Sequence, residues 1–320
     1  MNEKILIFLK NRSNLFFPRI MTQVCRDENS KFYGCFDRNW WHYKIRDFPS
    51  IILQQGSYSI YIASKLKRNQ IFTREIKDLA KAGCIFWNNR VNKYGSFEEY
   101  YPYERGYAPL AFSTLSTCKL INEKVIEIES IKKGIEKAAF QLLKRYEKEA
   151  MNQQIAGLAA LTYINYIDPQ TLESSKYDNL LNKVLNQQHK DGWFNEYDGP
   201  DIGYLSVSLD CFWDIYDITK NHKVYSAITK ITDYITYAVN TLKENFSIFN
   251  SRNSNYILPY GLFKSYMDNN QNKKSIKEAI ETLFLKEIDE YHFFDSMDDR
   301  YLCHYLGQSL FRCLELLETK

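Results

Sequence analysis

The chain has 320 residues, of which 42 are basic and 39 acidic, a net charge of +3 spread without a basic stripe, so nucleic acid is not an expected partner. At 45% hydrophobic and 25% charged residues it falls in the ordinary globular range, and no apolar run approaches the roughly 18 residues of a membrane span. Seven scattered cysteines with no CxxC pair argue against a zinc motif and fit a reduced, cytoplasmic setting.

In chain order, the first feature is an apolar run from Ile5 to Leu9, broken by Lys10 and Arg12. It reads as a strand or helix start and not as a signal peptide. Residues 1–30 are assigned to a segment that closes or flanks a single domain formed by 31–320. Within that domain, segments 51–64, 106–118, 150–167, 253–263 and 301–311 contain no Asp, Glu, Lys or Arg, and 202–213 contains only Asp210. Such segments predict helices buried on every face. Between them run amphipathic stretches with one wet face, such as Ile128, Ile131, Ile135, Ala138, Leu142 and Tyr146, or Ile228, Ile231, Ile235, Ala238 and Leu242.

Buried helices alternating with half-buried ones, at intervals of 44 to 55 residues, predict an all-α fold: an (α/α)5–6 toroid of helical hairpins. The sixth outer helix has no clear signal, which leaves the ring incomplete or closed by residues 1–30. One sequence repeat is visible. Gly95-Ser96-Phe97-Glu98-Glu99-Tyr100, with Tyr107 beyond it, recurs as Gly192-Trp193-Phe194-Asn195-Glu196-Tyr197, with Tyr204 beyond it.

The toroid reading puts every connection from an outer to an inner helix at one end, and the polar and aromatic motifs fall in those connections. They are 36–49, 95–107, 146–154, 191–204, 245–256 and 293–305. Loops on a rigid scaffold are where binding concentrates. Six inner-helix N-termini at one end would add partial positive charge that favours an anionic ligand.

The motifs Phe36-Asp37-Arg38 with Trp40-Trp41, Asp47-Phe48-Pro49, Tyr101-Pro102-Tyr103-Glu104-Arg105, Asp191-Gly192-Trp193-Phe194 with Glu196-Tyr197, Ser251-Arg252-Asn253 and Asp298-Asp299-Arg300 resemble those of a group of toroid proteins of bacterial surface-polysaccharide gene clusters. More distantly the chain resembles heparinase- and alginate-lyase-type toroids and six-hairpin glycosidases. The resemblance to the lyases implies that Asn152, at the start of an inner helix, helps neutralise a uronate carboxylate.

Removing a proton beside a uronate carboxylate needs a group that neutralises the carboxylate and a base that reaches the carbon. Tyr103, Arg105, Asn152 and His42 are the candidates for that chemistry. The candidate ligand contacts are Asp37, Arg38, Trp40, Trp41, Glu104, Trp193, Glu196, Tyr197, Asp201, Arg252, Asn253, Asp299 and Arg300. Each has a bland alternative: Glu104 and Arg105 as an ion pair, Asp201 as a helix N-cap, Arg300 paired with Asp298 or Asp299.

The expected function is an enzyme of anionic saccharides, by lyase, epimerase or hydrolase chemistry, with no cofactor and no metal. A non-catalytic saccharide-binding or assembly protein is the alternative. A terpenoid-cyclase-like toroid, suggested by Gln188 with Asp191-Gly192-Trp193-Phe194, ranks third because no DxDD or DDxxD motif is present.

Overall fold

The computed structural model describes residues 2–38, 40–41, 47–66, 73–243, 250–251, 256–268, 272–285, 294, 298 and 305–319. These residues form twelve α-helices and no strand: α1 Glu3–Met21, α2 Gly56–Lys65, α3 Thr73–Arg90, α4 Tyr107–Asn122, α5 Lys132–Lys144, α6 Met151–Ile167, α7 Ser174–Leu185, α8 Ile202–Thr219, α9 His222–Leu242, α10 Pro259–Asp268, α11 Lys273–Phe284 and α12 Tyr305–Glu318. Among the described residues no helix is long and apolar enough to cross a membrane.

The charge-free segments are the buried helices. In α6 thirteen residues from Met151 to Ile164 are buried on all sides, and α4 and α8 are equally enclosed. The first segment opens as a 3-10 turn, Ile51–Gln55, before α2, and the fifth, described from Tyr256, is helical from Pro259, a residue suited to a first helical turn. The even helices pack in a cycle: α2 on α4, α4 on α6, α6 on α8, α8 on α10, α10 on α12, and α12 back on α2.

The odd helices lie against this cycle with one face wet. Along α9 the buried positions are Val224, Ala227, Ile228, Ile231, Thr232, Ile235, Thr236, Ala238 and Val239, the three-to-four spacing of a single buried stripe. Helix α3 packs on α2 and α4, α5 on α4 and α6, α7 on α6, α9 on α8 and α10, and α11 on α10. The N-terminal segment is a helix, not a strand. Asn2 caps it by accepting from Lys4 N at 3.0 Å, and α1 contacts α12, α2 and α11.

Three of the turns that follow odd helices share one construction. Gly34, Gly95 and Gly192 have φ of 83°, 73° and 106°. A Cβ on each would lie 2.3 to 2.8 Å from backbone of the next odd helix: Ala82 of α3, Lys137 of α5 and Lys230 of α9. Two residues on, Phe36, Phe97 and Phe194 are buried in the core. The carbonyl between glycine and phenylalanine accepts a backbone bond from the end of the preceding helix: Cys25 N to Cys35 O, Asn92 N to Ser96 O, His189 N to Trp193 O. Glycine is needed because left-handed φ and a backbone contact coincide.

Candidate functional site

Hydrogen bonds join the starts of α2, α4, α6 and α8 and the loop before α10 to one another, so these share one end of the molecule. Ile51 N, ahead of α2, donates to Glu98 O in the loop leading to α4. The Tyr107 hydroxyl at the start of α4 donates to Gln154 Oε1 of α6 at 3.1 Å. Met151 N donates to Asn195 O and Tyr197 N to Glu149 O, around a bridge between Ala150 and Glu196. Ile202 N of α8 donates to Asn250 Oδ1 at 3.0 Å.

Several expected ligand contacts are part of this stitching. Glu196 lies across the start of α6, accepting from Asn152 N and Asn152 Nδ2, both at 2.6 Å. Asp201 is the N-cap of α8, accepting from Tyr204 N at 2.9 Å, and its other oxygen accepts from Ser251 N and Oγ at 2.7 Å. Asp37 accepts from Ser50 N at 2.6 Å. Glu104 accepts from the Glu99 and Tyr100 amides and so folds its own loop. The starts of α6 and α8 are therefore already occupied by Glu196 and Asp201. Their side-chain oxygens satisfy amides that would otherwise be left bare by the first helical turn.

Glu196 is buried, and burial pushes its carboxyl up to about 8. The two Asn152 donors oppose that shift, while the charges of Asp201 and Glu147 add to it.

The remaining described candidates lie in the same set of loops. Arg105 stacks on Tyr94, guanidinium carbon 3.6 Å from the ring centroid, and Arg38 on Trp41 at 4.7 Å. Arg38 also donates to Thr22 Oγ1 at 3.0 Å. Trp40 and Trp41 meet edge to face, and Trp193 is half-buried, stacked on His189 with centroids 4.3 Å apart. The Tyr103 and Tyr197 rings point outward, 88% and 53% exposed. His42, Arg252, Asn253, Asp299 and Arg300 lie outside the described residues.

Backbone strain is concentrated here. Seven described non-glycine residues have left-handed φ. Lys124 and Lys220 follow helices α4 and α8, where left-handed φ is ordinary, whereas Lys243, past α9, combines φ 53° with ψ −116° and lies outside that cap conformation. The other four, Arg38, Tyr103, Tyr197 and Asp198, are in the loops at the helix starts. A bulky residue held there costs about 1–3 kcal/mol, and such strain clusters at functional sites.

A second polar cluster, not anticipated from sequence, lies among α4, α8 and α12. Asp214 bonds Lys119 Nζ at 2.6 Å and Arg312 Nη2 at 2.5 Å. Arg312 lies over Tyr260 at 3.7 Å, and Asp210 accepts from Gly261 N at 2.7 Å. Burial pushes Asp210 up to about 6, against the pull of Arg312. Burial also lowers Lys119, helped by Arg312 and opposed by Asp214. Against burial, Arg312 and Lys119 hold Asp214 below the usual carboxylate range. These groups line a cavity of about 20 Å³ with Gln55 and Ser116, room for about one water. The cluster fits a structural role joining three helices better than a substrate site.

No protein-family model matches the chain, and no curated protein matches it.

Proposed function

We propose that the cycle of even helices is the inner wall of an α/α toroid, with α1 as its sixth outer helix, and that the rim at the inner-helix starts binds an anionic saccharide and acts on it. One observation carries the reading: Tyr103 and Tyr197 are held on left-handed backbone with their rings exposed. That arrangement costs stability and leaves two flat faces in solvent. Sugar rings stack on such faces. Trp41, Tyr94, Tyr100 and Tyr101 are exposed in the same set of loops, and Arg38 and Arg105, stacked on Trp41 and Tyr94, add the charge that suits a uronate.

In this reading Arg105 attracts the acidic sugar and Tyr103, two residues away, moves the proton, in lyase, epimerase or hydrolase chemistry. The six described cysteines are free thiols, which supports a reducing compartment. The test is incubation of the purified protein with a panel of uronic-acid oligosaccharides, with products read by mass spectrometry. Turnover of at least one is expected, and Arg105→Ala lowers it roughly 100-fold or more with an unchanged Tm. Binding without any product contradicts the enzyme.

That outcome would favour a second reading, a non-catalytic saccharide-binding protein. It is supported by the use of Asp37, Glu104, Glu196 and Asp201 to hold backbone amides, which leaves those carboxylates engaged in the scaffold.

A further inference from the structure

Beside the start of α6 three buried polar atoms lack a partner. Gln154 is fully buried, and its Oε1 accepts from the Tyr107 hydroxyl at 3.1 Å and from Glu147 N at 2.8 Å. Those two bonds fix the amide orientation, and they leave Nε2 with no hydrogen-bond partner. Arg145, at the end of α5, lies over the Tyr107 ring at 5.4 Å with Nη1 shielded from solvent and unpartnered. The hydroxyl of the next residue, Tyr146, is in the same condition. The Lys183 ammonium stands 3.5 Å from the Tyr146 ring centroid. Arg145, Glu147 and Tyr146 all act electrostatically on the Tyr107 phenol, so these groups form one neighbourhood.

Their chemistry is one-sided. An arginine nitrogen and an amide nitrogen only donate, and a tyrosine hydroxyl can donate. Arg145 and Lys183 bring two positive charges, set against the single charge of Glu147. Buried donors are almost always satisfied in native proteins, and the exceptions call for an unseen partner. Three donors with a surplus of positive charge ask for an oxyanion.

We propose that Arg145, Tyr146 and Gln154 form the subsite that takes the carboxylate of a uronic-acid residue. This identification of the ligand rests on the saccharide reading of the rim. Arg145 and Tyr146 stand in the connection from α5 to α6 and Gln154 in the first turn of α6, two residues from the Asn152 that bonds Glu196, whose neighbour Tyr197 carries an exposed ring.

The test uses calorimetry and thermal unfolding on the full chain with a glucuronate oligosaccharide, its carboxyl-reduced neutral counterpart and inorganic sulfate. Three variants are compared. Tyr146→Phe removes only the hydroxyl, Gln154→Glu keeps Oε1 while replacing the donor, and Arg145→Gln removes the charge. Tyr146→Phe is expected to raise the Tm of the free protein, since it removes an unpaired polar atom, and to weaken glucuronate binding about fivefold. Gln154→Glu and Arg145→Gln are expected to weaken it roughly 30-fold or more while leaving the neutral oligosaccharide unaffected.

Glucuronate affinity that is unchanged in Tyr146→Phe and in Arg145→Gln overturns the subsite while the saccharide reading stands. If neither saccharide binds and sulfate still stabilises the wild type through Arg145, the oxyanion site survives and the saccharide reading falls. If none of the three probes binds, both are overturned.

Discussion

At Tyr103 and Tyr197 a single side chain sets stability against binding. Glycine adopts left-handed backbone without strain, so Tyr197→Gly and Tyr103→Gly should each stabilise the free protein by about 1 kcal/mol in urea unfolding, even after glycine's entropic cost. Each should also weaken saccharide binding. A loss of stability would show that the exposed ring contributes packing instead. Glu196 makes a separate claim about pH. Its folded carboxyl, near 8, holds its proton more tightly than an unfolded glutamate near 4.5, so its contribution is fully present below about 4.5 and is lost as pH rises through 8. Asp210, near 6, acts in the same direction from about 4 to 6. Glu196→Gln should flatten the dependence of stability on pH between 5 and 8. At the acid end of that range it should also cost roughly 1–2 kcal/mol, because its amide meets one of the two Asn152 donors, and the difference from the wild type should shrink as pH rises. An unchanged slope would remove Glu196 as the cause.

At the scale of elements, the three glycine turns set where each rim loop leaves the scaffold. Gly192→Ala places a Cβ 2.3 Å from the Lys230 carbonyl on a left-handed backbone. It should destabilise by about 2–4 kcal/mol in denaturant unfolding, against about 0.5 kcal/mol or less for Gly199→Ala, whose Cβ meets nothing within 4 Å. The sequence showed two of these turns, because Gly95 and Gly192 share the downstream Glu and Tyr as well as the glycine and phenylalanine. Gly34-Cys35-Phe36 keeps only the glycine and the phenylalanine, too little to stand out as a repeat. The buried helices were legible for a simple reason: a helix enclosed on every side excludes charge. The same rule concealed the inner cluster. Segments 106–118, 202–213 and 301–311 end one residue before Lys119, Asp214 and Arg312, since charge ordinarily marks solvent. The helices run on, and those charges are buried because they neutralise one another. Nor can spacing along a chain reveal that Asn152 meets Glu196, a contact made only when two loops are brought together.

For the molecule as a whole, Asp214 is the point where α4, α8 and α12 are tied. Asp214→Asn leaves Lys119 and Arg312 buried without their counter-charge and should cost about 3–5 kcal/mol in urea unfolding. A cost below about 1 kcal/mol would mean that apolar packing alone sets the spacing of those helices. At the rim the helix starts, the strained tyrosines and the unpaired donors meet. Hydrogen exchange followed by mass spectrometry, with and without a saturating uronic-acid oligosaccharide, tests its role most directly. Protection concentrated in 95–107, 145–154 and 191–204 is the predicted result; protection confined to the odd-helix faces, or no protection in those loops, would contradict it.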